Sequence, residues 1–363
     1  MAPMRIAVIG AGMIGRTHIQ VLRSGSPDFT LAAVADPSPV AVEEAQRLGY
    51  DIFSSFEEML DRAKPDGVVV AVPNQMHVVV GLGCVARRLP MLMEKPVADD
   101  VASALRLVEV AEQAGVPMLA GHHRRHNPIM RRAAEIVAGG GIGRVVAVNG
   151  LWLSHKPRPY FDVAWRREPG GGPVLINAIH DIDCLRMLCG DVESVTAAAG
   201  NAIRGFQVED TAAAVLQFKS GALGTLLVSD TVSAPWSWEW GSRENPDRPI
   251  EPENCYLVAG TLGSLTVPML QHRWHKAGDE SWNTPLIQMH VPFRAADAYH
   301  EQMRNFCGVI RGTERPVLSG RDGTVTLATT LAITESAHRG KAVRVDEMLQ
   351  RPAATASEGG ESQ

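Results

Sequence analysis

The chain has 363 residues, of which 45% are hydrophobic and 21% charged, with a formal net charge of −5. These are the proportions of an ordinary soluble globular protein long enough for two cores. They exclude the basic surface that nucleic acids and anionic membranes require, and no apolar run reaches the ~18 residues of a membrane-spanning helix.

The cysteines (Cys84, Cys184, Cys189, Cys255 and Cys307) are odd in number and form no CxxC pair. They read as reduced, mostly buried thiols. A strand pattern opens almost at the first residue, where a signal peptide would otherwise stand, so the expected location is the cytoplasm.

In chain order, the apolar run Arg5–Ile9 ends in Gly10-Ala11-Gly12-Met13-Ile14-Gly15, and an apolar helical pattern follows. A second run, Leu31–Ala35, ends in Asp36, 21 residues beyond Gly15. This order predicts a dinucleotide site. Gly10 allows the tight turn, Gly12 lets backbone approach a pyrophosphate, and Gly15 lets helix and strand pack closely. The helix N-terminus offers free N–H groups to phosphate. Asp36 stands where an acid meets the adenosine ribose hydroxyls. Its charge repels a 2′-phosphate, and Pro37-Ser38-Pro39-Val40 offers no basic residue to offset it, so NAD is expected over NADP.

The alternation continues with helices over Val40–Leu48, Phe56–Ala63, His77–Arg88 and Ala102–Ala114. Strands are expected at Gly67–Val72, Pro90–Met93 and Pro117–Ala120. This predicts a parallel α/β sheet with its functional residues just past the strand C-termini. Asp36, Pro73-Asn74 and Glu94-Lys95-Pro96 occupy such places.

Past Gly121 the pattern changes. A helix over Pro128–Ala138 leads to longer strand-like runs at Val145–Trp152, Ser194–Asn201, Thr211–Phe218, Ala222–Thr231, Cys255–Ala259 and Ser264–Val267. They predict a large open, mostly antiparallel sheet crossed by a helix over Asn177–Cys189. Ala298–Ile310 and Gly323–Arg339 are expected to pack back near the first domain. The expected domains are residues 1–121, a Rossmann domain, and 122–348, an α+β domain for substrate and oligomerisation. A small, polar, disordered tail is expected over 349–363.

Several side chains carry candidate chemistry. Lys95 follows a strand and precedes proline, which aims its ammonium at the cleft; a surface lysine with a buried stem is the plainer alternative. His180 titrates near working pH and suits a general base, against a structural histidine. Asn177, His180 and Asp183 are spaced to share one helix face, with Asp183 orienting the imidazole or binding substrate. His155 is a possible substrate contact or a solvated loop residue. In His122-His123-Arg124-Arg125-His126 the outer histidines are four apart, but no cysteine or carboxylate completes a set, so no metal is expected. His123 reads as a cleft contact and Arg125 as a structural ion-pair residue. Trp236, Trp238 and Trp240 alternate as one face of a strand would, either as a stacking wall for substrate or as a subunit interface.

Taken together, Gly-Ala-Gly-Met-Ile-Gly-Arg-Thr-His, Val72-Pro73-Asn74-x-x-His77, Glu94-Lys95-Pro96, Trp165-Arg166, Gly170-Gly171-Gly172 and His180-Asp181-Ile182-Asp183 resemble the glucose–fructose oxidoreductase / inositol dehydrogenase / MocA family. The resemblance runs to about residue 345. It implies a Rossmann domain followed by an α/β domain whose open sheet makes a homodimer or homotetramer. It also implies a nicotinamide cofactor and oxidation of a ring hydroxyl on a sugar, an inositol-like polyol or a sugar acid. Lys95 then touches both the nicotinamide ribose and the reacting hydroxyl.

The expected cofactor contacts are Gly10, Gly12, Met13, Ile14, Asp36, Val72, Pro73, Asn74, His77, Glu94, Lys95, Trp165 and Arg166. Substrate contacts are Asn177, Asp183, His155 and His123, with Lys95 and His180 catalytic. One position departs from the family: an aspartate is common four residues before the histidine, where this chain has Ile176. Other activities within the resemblance are a cis-dihydrodiol dehydrogenase, a glycoside-cleaving enzyme that oxidises transiently with NAD, and an NAD-binding regulator.

Overall fold

The computed structural model describes residues 2–245 and 248–350. Six strands, β1 (Met4–Ile9), β2 (Phe29–Ala35), β3 (Ile52–Phe53), β4 (Gly67–Val70), β5 (Met91–Glu94) and β6 (Met118–Gly121), form one sheet in the order β3-β2-β1-β4-β5-β6. Every pairing in it is parallel. The helices α1 (Met13–Leu22), α2 (Pro39–Leu48), α3 (Phe56–Ala63), α4 (His77–Ala86) and α5 (Val101–Gln113) connect these strands. The parallel strands are covered on both faces, which is why β4 is the unbroken apolar run Gly67-Val68-Val69-Val70 with every residue buried.

Local sequence sets the helix ends. Ser38 accepts from the Ala41 N–H, Pro39 opens α2, and left-handed Gly49 closes it. Asp100 caps α5 through the Ser103 N–H.

The second half begins with α6 (Pro128–Ala138), capped by Asn127. Its strands are β7 (Val145–Leu153), β8 (Val192–Gly200), β9 (Thr211–Phe218), β10 (Leu223–Ser229), β11 (Tyr256–Gly260), β12 (Gly263–Val267), β13 (Gln271–Trp274), β14 (Ile287–His290) and β15 (Val343–Arg344). They form a nine-stranded sheet in the order β14-β13-β12-β11-β7-β10-β9-β8-β15. Only the β7–β10 pairing is parallel. From Ala212 to Phe218 the residues of β9 alternate between buried and exposed, the mark of a sheet with one covered face.

Five helices complete the described residues: α7 (Ile179–Cys189), α8 (Trp238–Gly241), α9 (Ala298–Ile310), α10 (Gly320–Arg339) and α11 (Val345–Leu349). Helix α9 returns to the first sheet. Met303, Phe306, Cys307 and Val309 share a core with Ile6, Val8, Phe29 and Val69. A side chain at Gly67 would strike Phe306 and Ile310 at under 3 Å, so glycine makes room for this docking. Helix α10 opens with a reciprocal Ser319–Asp322 capping box and packs on β6, α5, α7 and β8, joining both halves.

Three differences from the sequence reading stand out. The short strands β3, β13, β14 and β15 lack the apolar alternation that would announce them. The helix expected from Asn177 begins as a π turn at Val174–Ala178, and α7 starts at Ile179. The Trp row is not a strand. Trp238 opens α8 and is buried, whereas Trp236 is 43% exposed, because Glu239 and Glu244 are drawn inward to buried partners described below. Leu349 closes α11, and residues 351–363 of the expected tail lie outside the described residues.

Phe306→Ala should lower stability by about 3–5 kcal/mol in urea denaturation, the usual cost of truncating a fully buried phenylalanine.

Candidate active site

A cleft of about 980 Å³ runs along the C-terminal ends of the parallel strands and reaches the second half of the chain. At its first end Gly10 turns with φ +96°, and a Cβ there would lie 2.5 Å from the Ala71 carbonyl oxygen. A Cβ at Gly15 would lie 2.0 Å from the Gly10 oxygen, so helix and strand close tightly only with glycine. A Cβ at Gly12 would meet nothing, and no side chain caps α1. The first-turn amides of α1 therefore face an open cradle, which fits a pyrophosphate.

Asp36 closes the cradle. One carboxylate oxygen accepts from Ala11 N–H at 2.7 Å and the other from Ser38 N–H at 2.8 Å. Burial opposes its ionisation, but these donors and Arg16 prevail and hold it below the usual carboxylate range. Arg16 lies 2.7 Å from Glu44 through its Nε. Ser54, Ser55 and Phe56 line the adjoining wall. The cleft fits a dinucleotide with unphosphorylated ribose.

Further along, Val72, Pro73, Asn74, Glu94, Lys95 and Pro96 line the cleft, and the Lys95–Pro96 peptide is cis. Glu94 is buried against His18 at 2.7 Å. Burial raises its affinity for a proton, but His18, His123 and Lys95 outweigh that and hold it low. The Lys95 ammonium donates to the Ile176 carbonyl at 3.0 Å, joining the end of β5 to the π turn before α7. Burial pushes Lys95 down to about 8, with Glu94 opposing the shift and Arg124 adding to it.

His180 faces the same space. Burial, and then the positive field of Lys95 and Arg124, hold its imidazole well below the ordinary value, so it is neutral at neutral pH. Its Nδ1 is buried without a partner, and its ring meets the edges of His122 and His123 with centroids 5.8 and 5.2 Å away. His123 stacks on Tyr299 at 4.4 Å and pairs with Glu244 at 2.5 Å. Glu244 also accepts from the Trp238 indole N–H. Burial would raise Glu244, but His123, Arg124 and Trp238 bring it down to about 2.

Behind this wall Arg124 is buried between Asp181 at 3.1 Å and Glu239 at 2.8 Å, and Trp152 donates to Glu239 at 3.0 Å. Asp181 also accepts from Tyr256 at 2.5 Å. Burial dominates there and lifts Asp181 to about 7 against the pull of Arg124.

Of the residues singled out from sequence, Gly10, Gly12, Met13, Ile14, Asp36, Val72, Pro73, Asn74, Glu94, Lys95, His123, Trp165, Arg166 and His180 all line this cleft. Four others do not. His77 is buried beneath it, between the carbonyls of Pro96 at 2.7 Å and Val72 at 3.0 Å, where it ties two strand ends together. Asn177 is turned away with its Oδ1 buried and unpartnered, and Ile176 lines the cleft in its place. Asp183 is buried against Arg125 at 2.8 Å and Thr326 at 3.0 Å. Six helical steps of about 100° carry it roughly 120° around the axis from Asn177, so the expected shared face does not form. His155 is exposed, while its neighbour Lys156 turns inward.

Tyr160, Tyr299, Glu239 and Glu244 were not legible as site residues. The only sequence signal among them was Glu239, an acid between two tryptophans. Arg125 forms the ion pair read for it.

The cleft and its parallel sheet define an oxidoreductase with a dinucleotide-binding domain. Residues 4–122 match the model of the oxidoreductase family with the NAD-binding Rossmann fold, and residues 130–266 match the GFO/IDH/MocA C-terminal domain. The chain belongs to the GFO/IDH/MocA oxidoreductase family. It is 26% identical to myo-inositol 2-dehydrogenase of Thermotoga maritima, over 95% of this chain and all of that one. It is 30% identical to 2,7-anhydro-N-acetylneuraminate hydratase of Escherichia coli, over 72% of this chain and 67% of that one. The WlbA dehydrogenase from Bordetella pertussis, solved with NADH and UDP-GlcNAcA, shares the fold at a TM-score of 0.74 and 24% identity, covering 94% of this chain and 98% of that one. No described helix is long and apolar enough to cross a membrane.

Asp36→Ser should narrow the preference for NAD over NADP by about tenfold or more, read as the ratio of their Kd values in fluorescence titrations, since a like-charge contact costs at least that much.

Proposed function

We propose that this oxidoreductase uses NAD to oxidise a secondary ring hydroxyl of a sugar, polyol or sugar acid. The observation that carries the reading is the meeting of a Lys95 ammonium and a neutral His180 imidazole at the inner end of a dinucleotide-shaped cleft. NAD, which Gly10, Gly12 and Asp36 would hold, would supply the hydride acceptor for the carbinol carbon.

The chain's own residues handle the proton and the charge. His180 accepts the hydroxyl proton as the carbonyl forms, and its neutral state leaves a ring nitrogen free to do so. Lys95 donates to the same oxygen and stabilises the charge that develops on it. No carboxylate stands in the place of Ile176 to share the proton, so the Ile176 carbonyl does a different job, holding the ammonium at 3.0 Å. Trp165, at the mouth, offers a flat wall for the nicotinamide end.

The open face of the nine-stranded sheet presents Val146, Val215, Leu223, Leu227 and Leu257 to solvent. That apolar row supports self-association as a homodimer or homotetramer, readable by light scattering.

The primary test is the nicotinamide absorbance of the purified protein with NAD and a panel of inositols, aldoses and sugar acids. Net NAD reduction by one ring class is the expected result. Binding of NAD with no reduction by any of them would overturn the dehydrogenase reading. Lys95→Ala should lower kcat/KM about 100- to 1000-fold and His180→Ala about 100- to 10,000-fold, with NAD still bound.

The pH profile follows from Lys95. Its ammonium is present below its value of about 8, so kcat/KM should fall as pH rises through that value. In Lys95→Arg, which keeps its charge through the alkaline range, the residual activity should lose that descending limb.

A further inference from the structure

One buried group behind the cleft has no part in the reaction as drawn so far. His122 follows β6, is 1% exposed, and neither of its ring nitrogens makes a hydrogen bond. Burial, opposed by Asp183, brings its imidazole down to about 4, so it is neutral. A neutral imidazole has one N–H donor and one acceptor nitrogen, and leaving both unpaired in the interior is costly. A phenylalanine would fill the same space without that cost, so the ring nitrogens call for a use.

Two groups of α7 flank the ring. His180 meets it edge to face, with centroids 5.8 Å apart, and Asp183 places Oδ2 4.0 Å from its Nδ1. His180 and Asp183 are i and i+3 on α7, neighbours along one side of the helix, and His122 touches both. Burial opposes the ionisation of Asp183, but His122 and Arg125 outweigh it and hold the acid below the usual carboxylate range. Arg125 donates to both carboxylate oxygens, at 2.8 and 2.9 Å, and Thr326 donates to Oδ1 at 3.0 Å. Oδ2 therefore has one donor and room for another. The cations around the two rings are Lys95, Arg124 and Arg125, and the anions are Glu94 and Asp183.

These charges set the tautomers. The carboxylate favours the proton of His122 on Nδ1, which leaves the lone pair on Nε2. In His180 the nitrogen buried without a partner is Nδ1, so Nε2 is the one left for a ligand in the cleft.

We propose that His122 acts through His180 as a positioning residue for the proton: it takes from His180 Nδ1 the charge that His180 Nε2 receives from the substrate hydroxyl, and Asp183 stabilises the imidazolium that results. The relay rests on the dehydrogenase reading. As the carbinol hydride leaves for the nicotinamide, the hydroxyl O–H bond breaks and an Nε2–H bond forms on His180. The Nδ1–H bond of His180 then breaks and an Nε2–H bond forms on His122. His180 ends neutral and His122 positive. The cation has moved from beside Lys95 and Arg124, which repel it, to beside Asp183, which attracts it. The broad χ2 torsion of histidine lets the edge-to-face rings turn nitrogen to nitrogen.

The test sets rate against stability in the full chain. With a ring alcohol that reduces NAD, His122→Phe should lower kcat and kcat/KM equally, by about 10- to 100-fold. Its melting temperature should hold or rise, since two unpaired buried nitrogens are gone. His122→Ala should be slow in the same way and recover with added imidazole. It should not recover with pyrrole, which has the ring shape but no basic nitrogen. Unchanged turnover in His122→Phe, or equal recovery with pyrrole, would overturn the relay.

Nitrogen NMR of the unaltered, histidine-labelled protein with NADH bound needs no turnover. The expected tautomer is Nδ1–H in both His122 and His180, and Nε2–H in either would overturn the relay while leaving the dehydrogenase reading in place. No NAD reduction by any ring alcohol would overturn that reading, and the relay with it, whatever the tautomers.

Discussion

The hydrogen bond from Lys95 to the Ile176 carbonyl is the contact on which the rest of the site depends. A lysine at the end of a buried parallel strand cannot keep its charge without an acceptor, because desolvation works against the ammonium. The first half of the chain supplies no acceptor pointed at it other than through space, from Glu94. The second half supplies a backbone carbonyl from a π turn. Forming that bond fixes where β5 ends relative to α7, and so brings His180 and Lys95 into one cleft.

Around this joint the charges are arranged in two shells. Next to the cleft stand two groups whose charged forms burial disfavours. Lys95 is drawn down to about 8, and His180 is kept neutral by burial and by the cations beside it. Behind them stand charges held in ion pairs, Arg124 with Glu239 and Asp181, and Arg125 with Asp183. The inner pairs hold geometry because breaking any one strands a buried charge. Of the two groups at the cleft, Lys95 donates to the Ile176 carbonyl and His180 keeps a buried Nδ1 without a partner.

Much of this is legible in the amino-acid sequence. Glycine spacing fixes its own environment, since only a residue without a side chain survives 2.0 Å from the Gly10 oxygen. The segments that escaped notice were those whose shape is imposed from outside. The row of tryptophans looked like a strand by alternation, yet Glu239 is held by Arg124 and Trp152, and Glu244 by His123 and Trp238, which folds the segment into a short helix. Asp183 was placed on the wrong face because six steps along a helix do not close two full turns, and because a π turn precedes it.

The sequence by itself determined the parallel sheet, the glycine-built cradle, the acid beside it and the placing of Lys95 and His180 at the cleft. Each of these is a local matter, of backbone room, hydrophobic period or residue chemistry within one element. Tertiary structure alone decided which side chains share the cleft with them. Tyr299 comes from α9, which docks at Gly67 from more than 230 residues further along the chain, and Glu244, the partner of the cleft-lining His123, comes from the segment after α8. Such meetings are set by how two cores pack against each other and leave no mark on neighbouring residues, so no spacing rule along the chain could have shown them.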